Sequence, residues 1–161
     1  MNRRLINLCD VLFGNEKNFV EALNIEVPRT DSYGEDSWAS GEVAALGAVA
    51  SVFPDLRVIA STVRTIHSTS RNDWGGVCWA DGVVISGDVM HSLEILDRVG
   101  GGDAFAAGLI FGLLEGMPAD EALQYGVAHG AVAMSTPGDS SMATLEEIRH
   151  LVDGGSARIV R

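Results

Sequence analysis

The segment best equipped for chemistry is Asp97-Arg98-Val99-Gly100-Gly101-Gly102-Asp103-Ala104-Phe105-Ala106-Ala107-Gly108. Three consecutive glycines lead into a run, residues 103–115, that is apolar on every helical face. A backbone without Cβ atoms turns sharply and points successive N–H groups outward, and the partial positive charge of a helix N-terminus falls at the same place. That combination makes an anion hole for a phosphate. Asp103 puts a carboxylate where a transferred phosphoryl group would meet its acceptor, so it can take the proton from an attacking hydroxyl. Two other readings compete. Gly-Asp before a helix also serves as a plain N-cap, although a cap needs no glycine triplet. A dinucleotide fingerprint also uses glycines, but it wants a Gly or Ala where this chain has Phe105, and it needs no aspartate after its second glycine.

The elements that must position this segment follow from the apolar pattern. Residues 5–13 read as a buried parallel strand closed by Gly14-Asn15, with a helix after it to about Leu23. Residues 28–38 are polar and turn-rich, and Asp36 and Ser37 offer caps for an Ala-rich helix that runs to about Phe53 and is closed by Pro54. Residues 56–62 read as a second buried strand. Residues 77–80 and 83–85 flank Asp81-Gly82, a dipeptide suited to a type I′ hairpin. The helix after Asp103 is expected to be buried on all sides, with Ala106, Ala107 and Gly108 permitting close packing. A second Ala-rich helix spans 119–135, Thr136-Pro137-Gly138-Asp139 forms a turn, and a third helix starts at Thr144 with Glu147 at capping-box spacing. Strands and helices in this order predict an α/β fold.

With 161 residues, 47% of them hydrophobic, the chain fits one ordinary domain with a continuous core. Its 22 acidic residues against 11 basic ones leave a formal charge of −11. That balance opposes phosphate neutralisation, so neither nucleic acid nor an anionic membrane is an expected partner. No apolar run approaches the roughly 18 residues of a membrane-spanning helix, and Met1-Asn2-Arg3-Arg4 leads into a strand-like stretch rather than a signal peptide. A cytoplasmic location is expected. Cys9 and Cys78 sit in apolar segments with no His or Cys at metal-ligand spacing, which predicts buried, reduced thiols and no zinc site.

The glycine segment resembles the signature of the ribokinase-like (PfkB) carbohydrate kinases, and its wording is most similar to the 2-keto-3-deoxygluconate kinase branch, which the arginine at 98 also suits. The resemblance implies the C-terminal, nucleotide-binding part of a ribokinase-like three-layer α/β/α fold with a mostly parallel sheet. It implies Asp103 as catalytic base in contact with the substrate, Gly100, Gly101 and Gly102 as the anion hole, ATP and Mg2+ as cofactors, and a sugar or sugar acid as acceptor. Fructose, ribose or another sugar of the family is the alternative acceptor.

Other segments resemble the family in the same order. Asp10-Val11-Leu12-Phe13-Gly14-Asn15-Glu16 is similar to the strand end where the family places an Asn-x-x-Glu motif that organises magnesium and phosphates. Asn15 is present and is the implied metal and nucleotide contact; Asn18 stands where the glutamate would be, and a neutral amide is a weaker partner for hydrated magnesium. By its chemistry alone, Gly-Asn is a turn. Ser61-Thr62-Val63-Arg64 takes the place of the family's nucleotide-contacting turn, which makes Thr62 and Arg64 implied nucleotide contacts, and Ser68, Ser70, Asn72 and Trp74 follow in what reads as a polar loop. Asp139 resembles a second aspartate that 2-keto-3-deoxygluconate kinases bring onto the substrate's hydroxyls, whereas His129 reads as a helix residue rather than a catalytic group. The resemblance matches only the C-terminal half of the family's usual length. An apolar sheet edge would then need covering, by a second copy or by a chain carrying the upstream half. The alternative function is a non-catalytic remnant or split subunit that binds nucleotide or a partner chain.

Overall fold

The computed structural model describes residues 2–28, 38–138 and 140–154. Two compact units emerge: Met1–Val63 with Val77–Ser86, and Arg64–Gly76 with Gly87–Arg161. The long strands β2 (Val58–Ile66) and β3 (Arg71–Ala80) contribute a segment to each.

The first unit holds α1 (Asn2–Ile6), β1 (Val11–Phe13), α2 (Glu16–Leu23), α3 (Ser40–Val52) and β4 (Val83–Ser86). Strand order is β1-β2-β3-β4. β1 runs parallel to β2, with Val11 opposite Val58 and Phe13 opposite Ala60. β3 and β4 are antiparallel, with Ala80 opposite Val83. The sheet is therefore mixed rather than mostly parallel, because a two-residue turn forces its strands antiparallel. Asp81 and Gly82 in that turn have φ values of 50° and 85°, the two positive angles a type I′ turn requires. Phe19, Leu46, Val49, Ile59 and Val77 pack together as the core.

The expected strand over residues 5–13 begins only at Val11, and residues 2–6 are helical. Arg3 decides this: its guanidinium donates to the Leu23 carbonyl at 3.1 Å and lies 5.4 Å from the centroid of the Phe53 ring. A guanidinium over an aromatic ring and hydrogen-bonded to a helix C-terminal carbonyl fixes α1 against α2. Leu8 is left 82% exposed. Cys9 is exposed as well, contrary to expectation, while Cys78 is buried. The proposed caps Asp36 and Ser37 lie outside the described residues. α3 starts at Ser40 with Ala39 as a cap that makes no side-chain bond.

The second unit holds β5 (Met90–Glu94), α4 (Gly101–Leu114), α5 (Ala119–Met134) and α6 (Leu145–Val152). β5 pairs antiparallel with β3, Asn72 opposite Leu93, with a register shift before Trp74. The turn expected at Ser61–Arg64 and the polar loop expected through Trp74 are instead strand. β2 continues to Ile66, β3 starts at Arg71, and the amides of His67 and Ser68 both donate to the Arg71 carbonyl at 3.0 Å. The alternation of exposed Arg71, buried Asn72, half-buried Asp73 and buried Trp74 is the period of a strand, and it overrides the polar composition.

α4 and α5 approach closely because glycines line their contact. A Cβ on Gly126 would stand 2.9 Å from the Phe105 carbonyl oxygen, and one on Gly112 would stand 2.6 Å from Ala122 Cα. α5 covers one side of α4 only. Ala107, Ile110 and Leu114 are exposed, so α4 is not buried all round. α6 carries the expected capping box: the Glu147 amide donates to Thr144 Oγ1 at 3.3 Å, and the Thr144 amide to Glu147 Oε2 at 2.7 Å. Among the described residues no helix is long and apolar enough to cross a membrane.

Candidate active site

The glycine run reaches its position along a tethered approach. The amides of Leu96 and Asp97 both donate to the carbonyl of Met134, at 2.9 and 3.2 Å. The Val99 amide donates to Asp97 Oδ1 at 3.0 Å, and the Arg98 guanidinium to the Thr69 carbonyl at 3.0 Å. Asp97 and Arg98 are thus committed to holding the segment.

Gly100 is the N-cap of α4, with φ 83° and ψ −14°. That left-handed conformation favours glycine. Its carbonyl accepts the first helical bond, from the Ala104 amide at 2.8 Å. No side chain caps the helix, which leaves its first-turn N–H groups and the positive end of its dipole facing outward. Gly101 is buried, and a Cβ there would come within 2.8 Å of Met134 Cγ. Gly102 is different. It is exposed, and a Cβ there would meet nothing within 4 Å, so the fold does not demand a glycine at 102. Asp103 follows in the first turn of α4 and is exposed.

Behind this turn stands Trp74, which belongs to the core rather than to a surface loop. Its Nε1–H donates to the Val127 carbonyl at 2.9 Å, and its ring meets Phe105 edge-on at 6.4 Å. A Cβ on Gly130 would stand 2.6 Å from Trp74 Cζ2 and 3.0 Å from the Gly101 carbonyl oxygen, so the ring and the first turn of α4 press on the same glycine. His129, one residue earlier, is half-buried. Burial pushes its imidazole below the ordinary range, opposed by a hydrogen bond to the Ala104 backbone. A neutral imidazole tethered to the first turn fits a packing role. Asn72 is fully buried, and neither polar atom of its amide has a partner. Arg64, also in the second unit, is an exposed residue of β2. Asp139 lies outside the described residues.

Asn15 and Thr62 belong to the first unit. Asn15 is the N-cap of α2, its Oδ1 accepting the Asn18 amide at 2.9 Å while Asn18 Oδ1 accepts the Asn15 amide at 3.3 Å. The Asn-x-x-Asn spacing is therefore a capping box. Thr62 is half-buried in β2, next to the buried Ser61. Sequence reasoning missed Glu42, in the first turn of α3. Its Oε2 accepts the Glu16 amide at 2.8 Å and the Ser61 hydroxyl at 3.0 Å. Burial raises its carboxyl above the ordinary range, the two hydrogen bonds oppose that, and the neighbouring Glu16 charge adds to it.

Magnesium needs hard oxygen ligands, one or two of them carboxylates when phosphates supply the rest. No group of three or more His, Cys, Asp or Glu among the described residues is arranged to hold a metal. The Asn15 oxygen is already engaged in its cap. These side chains do not fit a metal held by the protein alone.

Part of the chain and most of its fold are similar to known proteins. Residues 83–146, which include the whole glycine run, match the pfkB family carbohydrate kinases. The chain is 32% identical over 92 residues to the 2-dehydro-3-deoxygalactonokinase of Haloferax volcanii, covering 57% of this chain and 29% of that protein. It is 47% identical over 46 residues to the 2-dehydro-3-deoxygluconokinase of Bacillus subtilis, covering 29% of this chain and 14% of that protein. Its fold matches the crystal structure of 2-dehydro-3-deoxygluconokinase from Thermotoga maritima with a TM-score of 0.82 and 26% identity, over 95% of this chain and 44% of that one. The chain spans less than a third of the length of these curated relatives and under half of the Thermotoga structure. The glycine run and the helix that it opens thus lie inside the segment that matches the pfkB family carbohydrate kinases, and the α/β fold is similar to that of a solved kinase named for 2-dehydro-3-deoxygluconate.

Proposed function

We propose that the chain is the nucleotide-binding, catalytic part of an ATP-dependent kinase acting on a keto-deoxy sugar acid, with Asp103 as general base. The observation that carries this reading is the start of α4: a left-handed Gly100, a helix with no side-chain cap, and the exposed Asp103 in its first turn. The acceptor hydroxyl gives its proton to Asp103 as its oxygen attacks the γ-phosphorus. The bond from that phosphorus to the β–γ bridging oxygen breaks, and ADP leaves. The N–H groups of the first turn offset negative charge on the transferring group, and Gly102 leaves room for the phosphate to approach them. Magnesium, which supplies charge neutralisation when bound, would arrive as the nucleotide complex. Thr62, Arg64 and Asn15 are the proposed nucleotide contacts, and Asp139 the proposed contact to the substrate hydroxyls. The acceptor class rests on the relatives, which are named for 2-dehydro-3-deoxygalactonate and 2-dehydro-3-deoxygluconate.

A second reading, nucleotide or partner binding without turnover, is favoured by Asn18 standing where the resemblance puts a glutamate. Isothermal titration with ATP, ADP and inorganic phosphate tests what the two share. The expected result is saturable binding of ATP that Gly102→Ala weakens. A folded chain that binds none of the three overturns the kinase reading and the nucleotide arm of the second, leaving partner binding alone.

A further inference from the structure

We infer that Glu42 is a positioning residue that ties the turn carrying Asn15 to the Ser61–Thr62 pair of β2, and so sets the two proposed nucleotide-contacting segments of the first unit relative to one another. The inference deepens the proposed function and rests on it for the role of those segments.

One oxygen, Glu42 Oε2, accepts from both the Glu16 amide at 2.8 Å and the Ser61 hydroxyl at 3.0 Å. Glu16 follows Asn15 directly, and Ser61 precedes Thr62. The bridge therefore crosses from the start of α2 to the middle of β2 through a single atom on a third element, α3. Ser61 is 1% exposed, so water does not readily replace the carboxylate as its partner. The neighbourhood is otherwise unfavourable for an acid. Glu42 is half-buried, and the Glu16 side chain lies over Gly41, whose added Cβ would stand 2.8 Å from Glu16 Oε2. A carboxylate kept beside another carboxylate, and spending its hydrogen bonds on two separate segments, couples those segments as well as capping one of them.

The experiment uses amide resonances of the chain and a mutant cycle. Ser61→Ala removes the hydroxyl without touching α2. The expected result is that it shifts the Asn15 and Glu16 amides in the wild type, and that this shift is absent in the Glu42→Ala background. Glu42→Gln, which keeps an acceptor at the same place, should restore it. Where the chain binds ATP, Glu42→Ala should weaken binding about tenfold, the scale of one lost charged hydrogen bond, with Glu42→Gln close to wild type. Ser61→Ala leaving α2 unmoved, or moving it equally without Glu42, overturns the inference. ATP affinity unchanged in Glu42→Ala overturns it also. A wild-type chain that binds no ATP contradicts the proposed function instead, and the resonances then still decide the coupling.

Discussion

Gly101 and Met134 meet so closely that a Cβ on the glycine would stand 2.8 Å from Met134 Cγ. The end of α5 is thereby closed against the start of α4, and the Met134 carbonyl also receives the amides of Leu96 and Asp97. Both arms of the glycine approach converge on one residue.

That contact separates two glycines that look alike. Gly101→Val should destabilise by about 1–3 kcal/mol, because Met134 can clear the new side chain only by rotating about χ1, and it is 1% exposed in packed surroundings. Gly102→Ala has open space and sits in a helix, so stability should hold or rise by up to about 1 kcal/mol. Its ATP or phosphate affinity should nonetheless fall. Thermal unfolding and calorimetric titration of both variants check this; unchanged affinity in Gly102→Ala would reduce the loop to a helix start.

Asp73 predicts an acid-dependent clip. Its carboxyl is lowered to about 2 from an ordinary 3.8, first by the Ser92 amide and then by His67, with His91 adding to it. The amide lies 2.8 Å from Oδ1, and the His67 and His91 nitrogens lie 2.9 and 3.4 Å from Oδ2. A depressed acid contributes stability that is present above 3.8 and is lost as pH falls towards about 2. Asp73→Asn should therefore be less stable than wild type at neutral pH, with the gap closing across that window. Urea unfolding over a pH series measures it, and a gap independent of pH would contradict the assignment.

His129 titrates with the opposite charge. A histidine depressed by burial resists protonation in the folded state, so its stabilising effect is full above the ordinary 6.5 and is lost as pH falls below it. His129→Gln keeps a donor for the Ala104 backbone without a titrating ring. The variant should lose less stability than wild type on acidification from about pH 7 to about pH 5. Parallel acid-side slopes in the two proteins would contradict this.

What the sequence made legible was local. The Asp81-Gly82 hairpin and the Thr144–Glu147 cap follow from residues within a few positions of each other, and both are present as expected. The first apolar run reads as strand from residue 5, whereas residues 2–6 are helix and the strand starts at Val11; the helix is held by Arg3 reaching Leu23 and Phe53, which no local pattern records. Trp74 was hidden by the polar residues around it, because the alternation at 71–74 is one of burial that puts the polar Asn72 on the inner side, and residue types alone do not show it. Glu42 gave no signal, since its two partners lie 26 and 19 positions away. Asn15 was noticed for its neighbours' wording, and its side chain is engaged with Asn18 as a helix cap.

The most direct test concerns Asp103. Turnover of ATP with 2-keto-3-deoxygluconate and its galactonate epimer should be measured alongside ATP binding, for wild type and Asp103→Asn, with the chain alone and with a family upstream half supplied in trans. An amide keeps the geometry of the first turn but accepts no proton. The expected result is little turnover by the chain alone, phosphoryl transfer in the complemented wild type, and loss of about 100-fold or more in Asp103→Asn with ATP affinity nearly unchanged. An Asp103→Asn assembly that turns over at the wild-type rate would contradict the role of Asp103 as base.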